Sequence, residues 1–127
     1  MLLLPNLGQA VIRIEKIRDY ALNEQHPDGK HKAMVFKGIL GIERRHADTL
    51  AELIKTTLSS AAAQPGKSDE YGEHWTTYHQ IVGFGSQSAV VTVAWIFKKE
   101  QSAVPQLISC YIEPNRQEKL RQLLGLT

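Results

Sequence analysis

The sequence predicts an α+β domain, with N-terminal helices packed on one face of an antiparallel sheet of three to four strands and a short C-terminal helix. Three observations carry that expectation. Apolar residues recur at helical spacing in the first half, the period drops from about 3.6 to 2 after the Gln64–Asp69 stretch, and Leu120, Leu123 and Leu124 return to helical spacing near the end. With 127 residues, 43% hydrophobic and 22% charged, the chain suits one domain, 1–127, whose core needs no disulfide or metal. Its helical half is placed at about 10–63, its sheet half at about 71–112 and its last helix at about 115–124.

Taken in order, Val11 and Ile12 read as a short edge strand after the turn-prone Pro5-Asn6-Leu7-Gly8, and Ile14, Ile17 and Ala21 form a helical stripe with Tyr20 at its border. Asn23 to Pro27 ends that helix. A second helix opens just after Asp28, with Asp28 as its N-cap, and buries Ala33, Phe36 and Leu40 before Gly41 stops it. The third, from Arg44 to Ala62, carries Ala47, Leu50, Ile54, Leu58 and Ala61 at helical period. Gln64-Pro65-Gly66-Lys67-Ser68-Asp69 has the composition of a loop.

In the sheet half, Trp75, Thr77, His79 and Ile81 share one side of a strand. Ala89 to Phe97 is apolar on both sides, as a central strand should be. A third strand, Gln106 to Ile112, alternates Leu107, Ser109 and Tyr111 with Ile108, Cys110 and Ile112. Trp75 and Trp95 lie in apolar strands, where core packing explains them better than base stacking.

Several function classes fall away on composition and motif. The single cysteine, Cys110, excludes an internal disulfide and, in an apolar strand, reads as a structural thiol. Met1-Leu2-Leu3-Leu4-Pro5 is too short for a secretory leader and no run reaches membrane-spanning length, so the expected location is the cytoplasm. There is no Cys-x-x-Cys or His-Glu-x-x-His, and the pairs His26/His31 and His74/His79 are each five apart, a spacing unsuited to shared ligation, so neither metal nor cofactor is expected. Phosphate-cradling glycine loops and a Gly-x-Ser-x-Gly elbow are also absent.

The informative stretch is His26-Pro27-Asp28-Gly29-Lys30-His31-Lys32, a turn-to-helix junction with two histidines and two lysines. The formal charge of the chain is only +2. Its distribution says more: Lys30, His31, Lys32, Lys37, Arg44 and Arg45 cluster in sequence, a surface suited to RNA phosphates or simply a solvated helical face. Cleaving RNA through its own 2′-hydroxyl needs a proton acceptor, a cation or N–H array for the phosphate, and an acid for the departing oxygen. Histidine titrates in the right range. His26 or His31 would take the proton, Lys32 with the helix N-terminus would hold the phosphate, and Thr92 or Ser109 would complete the pocket. Each also has a plainer explanation, His26 as a turn-shaping residue and the hydroxyls as ordinary strand positions.

Leu4-Pro5-Asn6, Lys16-Ile17-Arg18-Asp19-Tyr20-Ala21-Leu22-Asn23, His26-Pro27-x-Gly29-x-x-Lys32-Ala33-x-x-Phe36, Tyr71-Gly72, Trp95-Ile96 and Ser109-Cys110-Tyr111 together resemble an uncharacterised bacterial domain family. That family occurs as small free-standing proteins and as the C-terminal tip of polymorphic toxins. The resemblance extends to the ribonuclease superfold of barnase, EndoU-type and RelE-type toxins, and implies a metal-independent endoribonuclease with a cognate antitoxin or immunity protein. It points to His26, Gly29 and Lys32 as the recurrent polar motif, and to Ser109 where the family usually has threonine. One departure stands out: the family's strand threonine two residues before the tryptophan is here Val93, with Thr92 one step earlier, and a one-residue step changes sheet face. The alternatives are a catalytically inactive module binding a protein or RNA partner, and an immunity or scaffold protein dimerising through a sheet edge.

Overall fold

The computed structural model describes residues 2–126. Four antiparallel strands form one sheet in the order β1-β2-β3-β4: β1 (Ala62–Asp69), β2 (Gly72–Val82), β3 (Ser88–Lys98) and β4 (Pro105–Ile112). Helix α1 (Ile14–Lys16) runs directly into a π-helical turn (Ile17–Ala21), and α2 (Lys30–Leu40), α3 (Ala47–Thr57) and α4 (Gln117–Leu123) complete the chain. The expected α+β architecture is what forms.

The core lies between the N-terminal helices and one face of the sheet. Val91, Val93, Trp95 and Phe97 alternate onto that face and pack with Ile17, Phe36, Leu50 and Ile54. The opposite face is covered only at one end, where Leu120 of α4 sits on Tyr78 and Val90. Leu123, expected to point inward, is exposed because a helix this short turns a single residue fully onto the sheet.

Three sequence expectations need correction. Gln64 to Asp69 is not a loop but most of β1, an edge strand with a register shift between Pro65 and Ser68. Its pairing comes from backbone groups, and a mostly exposed edge strand needs no apolar alternation. The third helix ends at Thr57 and unwinds through a 3₁₀ turn, Leu58–Ser60. Val11 forms a single parallel bridge to Gln106 rather than a strand.

The alternation expected of the last strand also breaks. A register shift opposite Ala94 and Trp95 leaves Ile108 as an extra residue, so Leu107 pairs with Trp95 while Ser109 pairs with Ala94. Leu107, Cys110 and Ile112 therefore enter the core, and Ser109 and Tyr111 turn to the other face with Thr92. A bulge re-aims side chains in this way. No helix among the described residues is long and apolar enough to cross a membrane.

Candidate functional site

The site is assembled where the outer edge of β4 loses its neighbour. Val11 pairs with that edge through Val11 N to Pro105 O and Leu107 N to Val11 O. From Ile108 onward, the π-turn and α2 lie beside it instead, bringing Tyr20 and Lys32 to the strand. The turn is wound by the Leu22 N–H donating to Ile17 O at 2.9 Å.

Its entry is shaped by His26. The Asp28 and Gly29 N–H groups both donate to His26 Nδ1, at 3.0 and 3.1 Å, and the Lys30 N–H donates to His26 O. His26, not Asp28, thus caps the turn, and α2 has Gly29 at its N-cap with no side-chain cap. A backbone N–H can only donate, so Nδ1 is an acceptor and the neutral ring carries its proton on Nε2. Gly29 is required by packing, since a Cβ there would collide with the Tyr20 carbonyl oxygen.

Tyr20 links the two residues of the motif. Its ring meets the His26 imidazole edge-on, with centroids 4.7 Å apart and planes at 69°. The Lys32 ammonium lies 5.2 Å from the Tyr20 centroid and 4.9 Å from that of Tyr111, a cation between two π-faces. Burial raises the Tyr111 pKa, with nearby Glu113 and Tyr78 adding to it, so its phenol stays protonated.

Two hydroxyls on the Tyr111 face of the sheet have no partners. Thr92 Oγ1 and Ser109 Oγ are buried and make no hydrogen bond, although their residues are only 2% and 8% exposed. Both belong to the sheet face opposite the core, Thr92 directly across from Tyr111 and Ser109 across from Ala94. Ser109 lines an open cleft of about 370 Å³ with Tyr20, Ile108, Lys16, Glu15 and Asp19. Thr92 and Ser109 are thus on one face, while Val93 lies on the other, wholly buried in the core.

Other site residues expected from sequence are placed differently. Arg44 bonds Asp19 at 2.9 Å and the Arg18 carbonyl at 3.0 Å, Arg45 pairs with Glu43, and Lys37 approaches Glu24 at 3.9 Å. Hydrogen bonds from Arg18 and Arg44 hold the Asp19 carboxyl well below the usual carboxylate range. Lys30 and His31 are exposed. Tyr20 and Tyr111 were visible only as members of short motifs, because their importance comes from the shared ammonium.

One buried polar chain lies outside the cleft. Trp95 Nε1–H donates to Thr77 Oγ1, whose hydroxyl reaches His79 Nε2 at 2.7 Å, and His79 Nδ1 contacts Thr57 Oγ1 at 2.7 Å. Thr57 donates in turn to Leu53 O. Since indole only donates and a carbonyl only accepts, His79 is the Nδ1–H tautomer. Burial pushes its pKa down to about 4. Burial likewise pushes the Cys110 thiol up to about 12, which leaves it a packing residue.

Fold and site together define an α+β protein with a solvent-open cleft at a sheet edge, lined by Tyr20 and Ser109, where Tyr20 and Tyr111 hold the Lys32 ammonium and two hydroxyls on the Tyr111 face are unpartnered. The chain belongs to the DUF6883 family, a domain of unknown function, whose model matches residues 3–114. Among solved structures it is similar to a chain of a contact-dependent growth inhibition toxin–immunity protein complex from Klebsiella pneumoniae 342, with TM-score 0.58 and 16% identity over 85% of this chain and 97% of that one. At that identity the likeness shows a shared fold. No curated protein matches the chain.

Proposed function

We propose that the protein is a metal-independent, toxin-like endoribonuclease whose active site is the cleft beside Lys32. The observation that carries this reading is the pair of buried, unpartnered hydroxyls, Thr92 and Ser109, on the sheet face of Tyr111, one of the two rings that hold the Lys32 ammonium. Burying a hydroxyl without a partner is costly, and such groups are rare unless something else bonds them. A phosphate group supplies the acceptors that both hydroxyls and Lys32 lack.

In the reaction proposed, the 2′-oxygen of RNA attacks the adjacent phosphorus, the 5′-oxygen departs, and a 2′,3′-cyclic phosphate remains. Lys32, Ser109 and Thr92 hold the non-bridging oxygens as negative charge grows on them. His26, whose Nδ1 already accepts two backbone N–H groups, stays a neutral ring and gives a hydrogen bond from Nε2–H, so the departing 5′-oxygen takes its proton from solvent in the open cleft. The 2′-proton then falls to the other imidazole of the motif, His31, which is exposed at the start of α2. The N–H groups of Asp28, Gly29 and Lys30 are turned onto His26, so the phosphate clamp rests on side chains.

A cognate antitoxin or immunity protein, acidic where it covers the cleft, fits both this chemistry and the toxin–immunity complex that shares the fold. A homodimer through β1 has less support, since Pro65, Lys67 and the register shift are features that discourage edge pairing. The committed Nδ1 of His26 favours one second reading, an RNA-binding module without turnover.

Expression of the full chain in bacteria, followed by RNA analysis, tests the proposal. The expected result is growth arrest and RNA ending in cyclic phosphate, insensitive to a metal chelator and abolished by Lys32→Ala in a folded protein. Intact RNA in the presence of purified, folded wild-type protein overturns catalysis and leaves the binding module.

A further inference from the structure

Three of the cations grouped by sequence are not free. Arg44, Arg45 and Lys37 all have carboxylate partners within 4 Å. A second cleft lies further along β4, between Arg13, Lys16 and Lys98, over a floor that includes Ile96 and Ile108. It shares Lys16 and Ile108 with the cleft that Ser109 lines, so the two form one trough along the sheet edge. Among the described residues, Arg13, Lys16 and Lys98 have no ion pair and no side-chain hydrogen bond, and all three are exposed.

The trough has an apolar floor and a cationic rim. Ile96 and Ala94 of β3 are half-exposed on the sheet face that α4 leaves uncovered, so the floor is accessible. Of the carboxylates along it, Asp19 is neutralised by Arg18 and Arg44, while Glu15 has no ion pair among the described residues. Three free cations against one free carboxylate leave this arm positive.

We infer that single-stranded RNA extends from the Lys32 site along the β4 trough, with successive phosphates on Lys16, Arg13 and Lys98 and a base resting on Ile96 and Ile108. This rests on the proposed function for its substrate class and adds the direction of the strand and the residues that hold it. A compact phosphomonoester would use only the Lys32 end. A chain of phosphates is the ligand that matches cations spaced along a groove.

The test compares two non-cleavable 2′-O-methyl RNAs, a dinucleotide and an octanucleotide, binding to the full-length protein. For Arg13→Ala/Lys16→Ala/Lys98→Ala, octanucleotide affinity should fall about 10- to 100-fold, and the slope of log K against log salt should drop by about 2, near 0.7 per lost phosphate contact. Dinucleotide affinity should stay within about 2-fold, and Lys37→Ala/Arg45→Ala should leave both RNAs within about 3-fold. Equal losses for both lengths, no loss for either, or failure of wild type to bind the octanucleotide overturns the inference. Cleavage is scored separately: RNA cut normally by the triple variant with unchanged octanucleotide binding refutes the trough alone, and trough-dependent binding without cleavage refutes catalysis alone.

Discussion

Lys32 and Tyr111 meet across the edge of the sheet, the ammonium 4.9 Å from the ring centre. The contact joins the first turn of α2 to the outward face of β4, two elements that the chain places far apart. A cation–π contact of this kind contributes about 0.5–1 kcal/mol. Lys32→Ala should therefore leave the thermal midpoint within a few degrees of wild type while lowering RNA cleavage about 10²- to 10³-fold, the loss typical of one charge-stabilising group. Parallel melting and single-turnover assays check both halves. A large loss of stability with cleavage otherwise intact would make Lys32 a structural residue.

Thr92 and Ser109 make the opposite trade. Each hydroxyl is buried and unpartnered, a state that costs about 1–3 kcal/mol. Thr92→Val and Ser109→Ala should then stabilise the protein, each by about 1 kcal/mol, and slow cleavage. Denaturant melts and cleavage rates on the same samples provide the measurement. Destabilisation by both substitutions would mean that the hydroxyls serve the fold.

How far this site was legible in the sequence depends on the range of the interaction. The α+β class follows from periodicity, and the central strand at Ala89 to Phe97 with the burial of Trp95 follows from a run that is apolar on both sides, both local signals. The edge strand β1 was hidden because backbone pairing leaves no mark on an exposed polar segment. Ser109 was named from sequence, but its orientation depends on the bulge at Ile108, which is set by pairing with β3. The free cations Arg13, Lys16 and Lys98 are 3 to 85 positions apart in the chain, so only the fold could group them. Conversely, Arg44 looked free because its partner Asp19 lies 25 residues away.

Glu15 lines the cleft with Ser109 and has no ion pair among the described residues. Glu15→Gln should tighten octanucleotide binding about 2- to 5-fold at low salt, with the gain fading as salt screens the charge. Fluorescence anisotropy across a salt series reads this directly. Weaker binding would show that the carboxylate contacts RNA favourably.

His26 separates turn geometry from chemistry. His26→Asn keeps an acceptor for the Asp28 and Gly29 N–H groups but removes the Nε2–H donor, whereas His26→Ala leaves those N–H groups without their side-chain acceptor. The alanine variant should lose about 1–2 kcal/mol, the asparagine variant less than half of that, and both should cleave RNA slowly. Full activity in the asparagine variant would assign His26 to the turn alone. His31→Ala, by contrast, should preserve stability and reduce cleavage about 10²- to 10⁴-fold if it accepts the 2′-proton.

His79 sets an acid limit on the fold. Its ring is 1% exposed and is bonded at both nitrogens to threonine hydroxyls, with no carboxylate among its partners. Burial lowers its pKa from 6.5 to about 4. The unfolded chain therefore takes up a proton at a pH where the folded chain does not, so acid favours unfolding. Its contribution is full above pH 6.5 and is lost as pH falls toward 4, by roughly 3 kcal/mol in total. Protonation would also put a second donor where Thr77 now donates, breaking the chain that runs from Trp95 through α3. Denaturant melts between pH 8 and 4 on wild type and His79→Leu isolate this residue from the other histidines. The leucine variant should be less stable at pH 8, yet lose less stability on acidification than wild type by roughly the same 3 kcal/mol. Parallel pH curves for the two proteins would show that His79 takes up its proton in the fold as readily as in the unfolded chain.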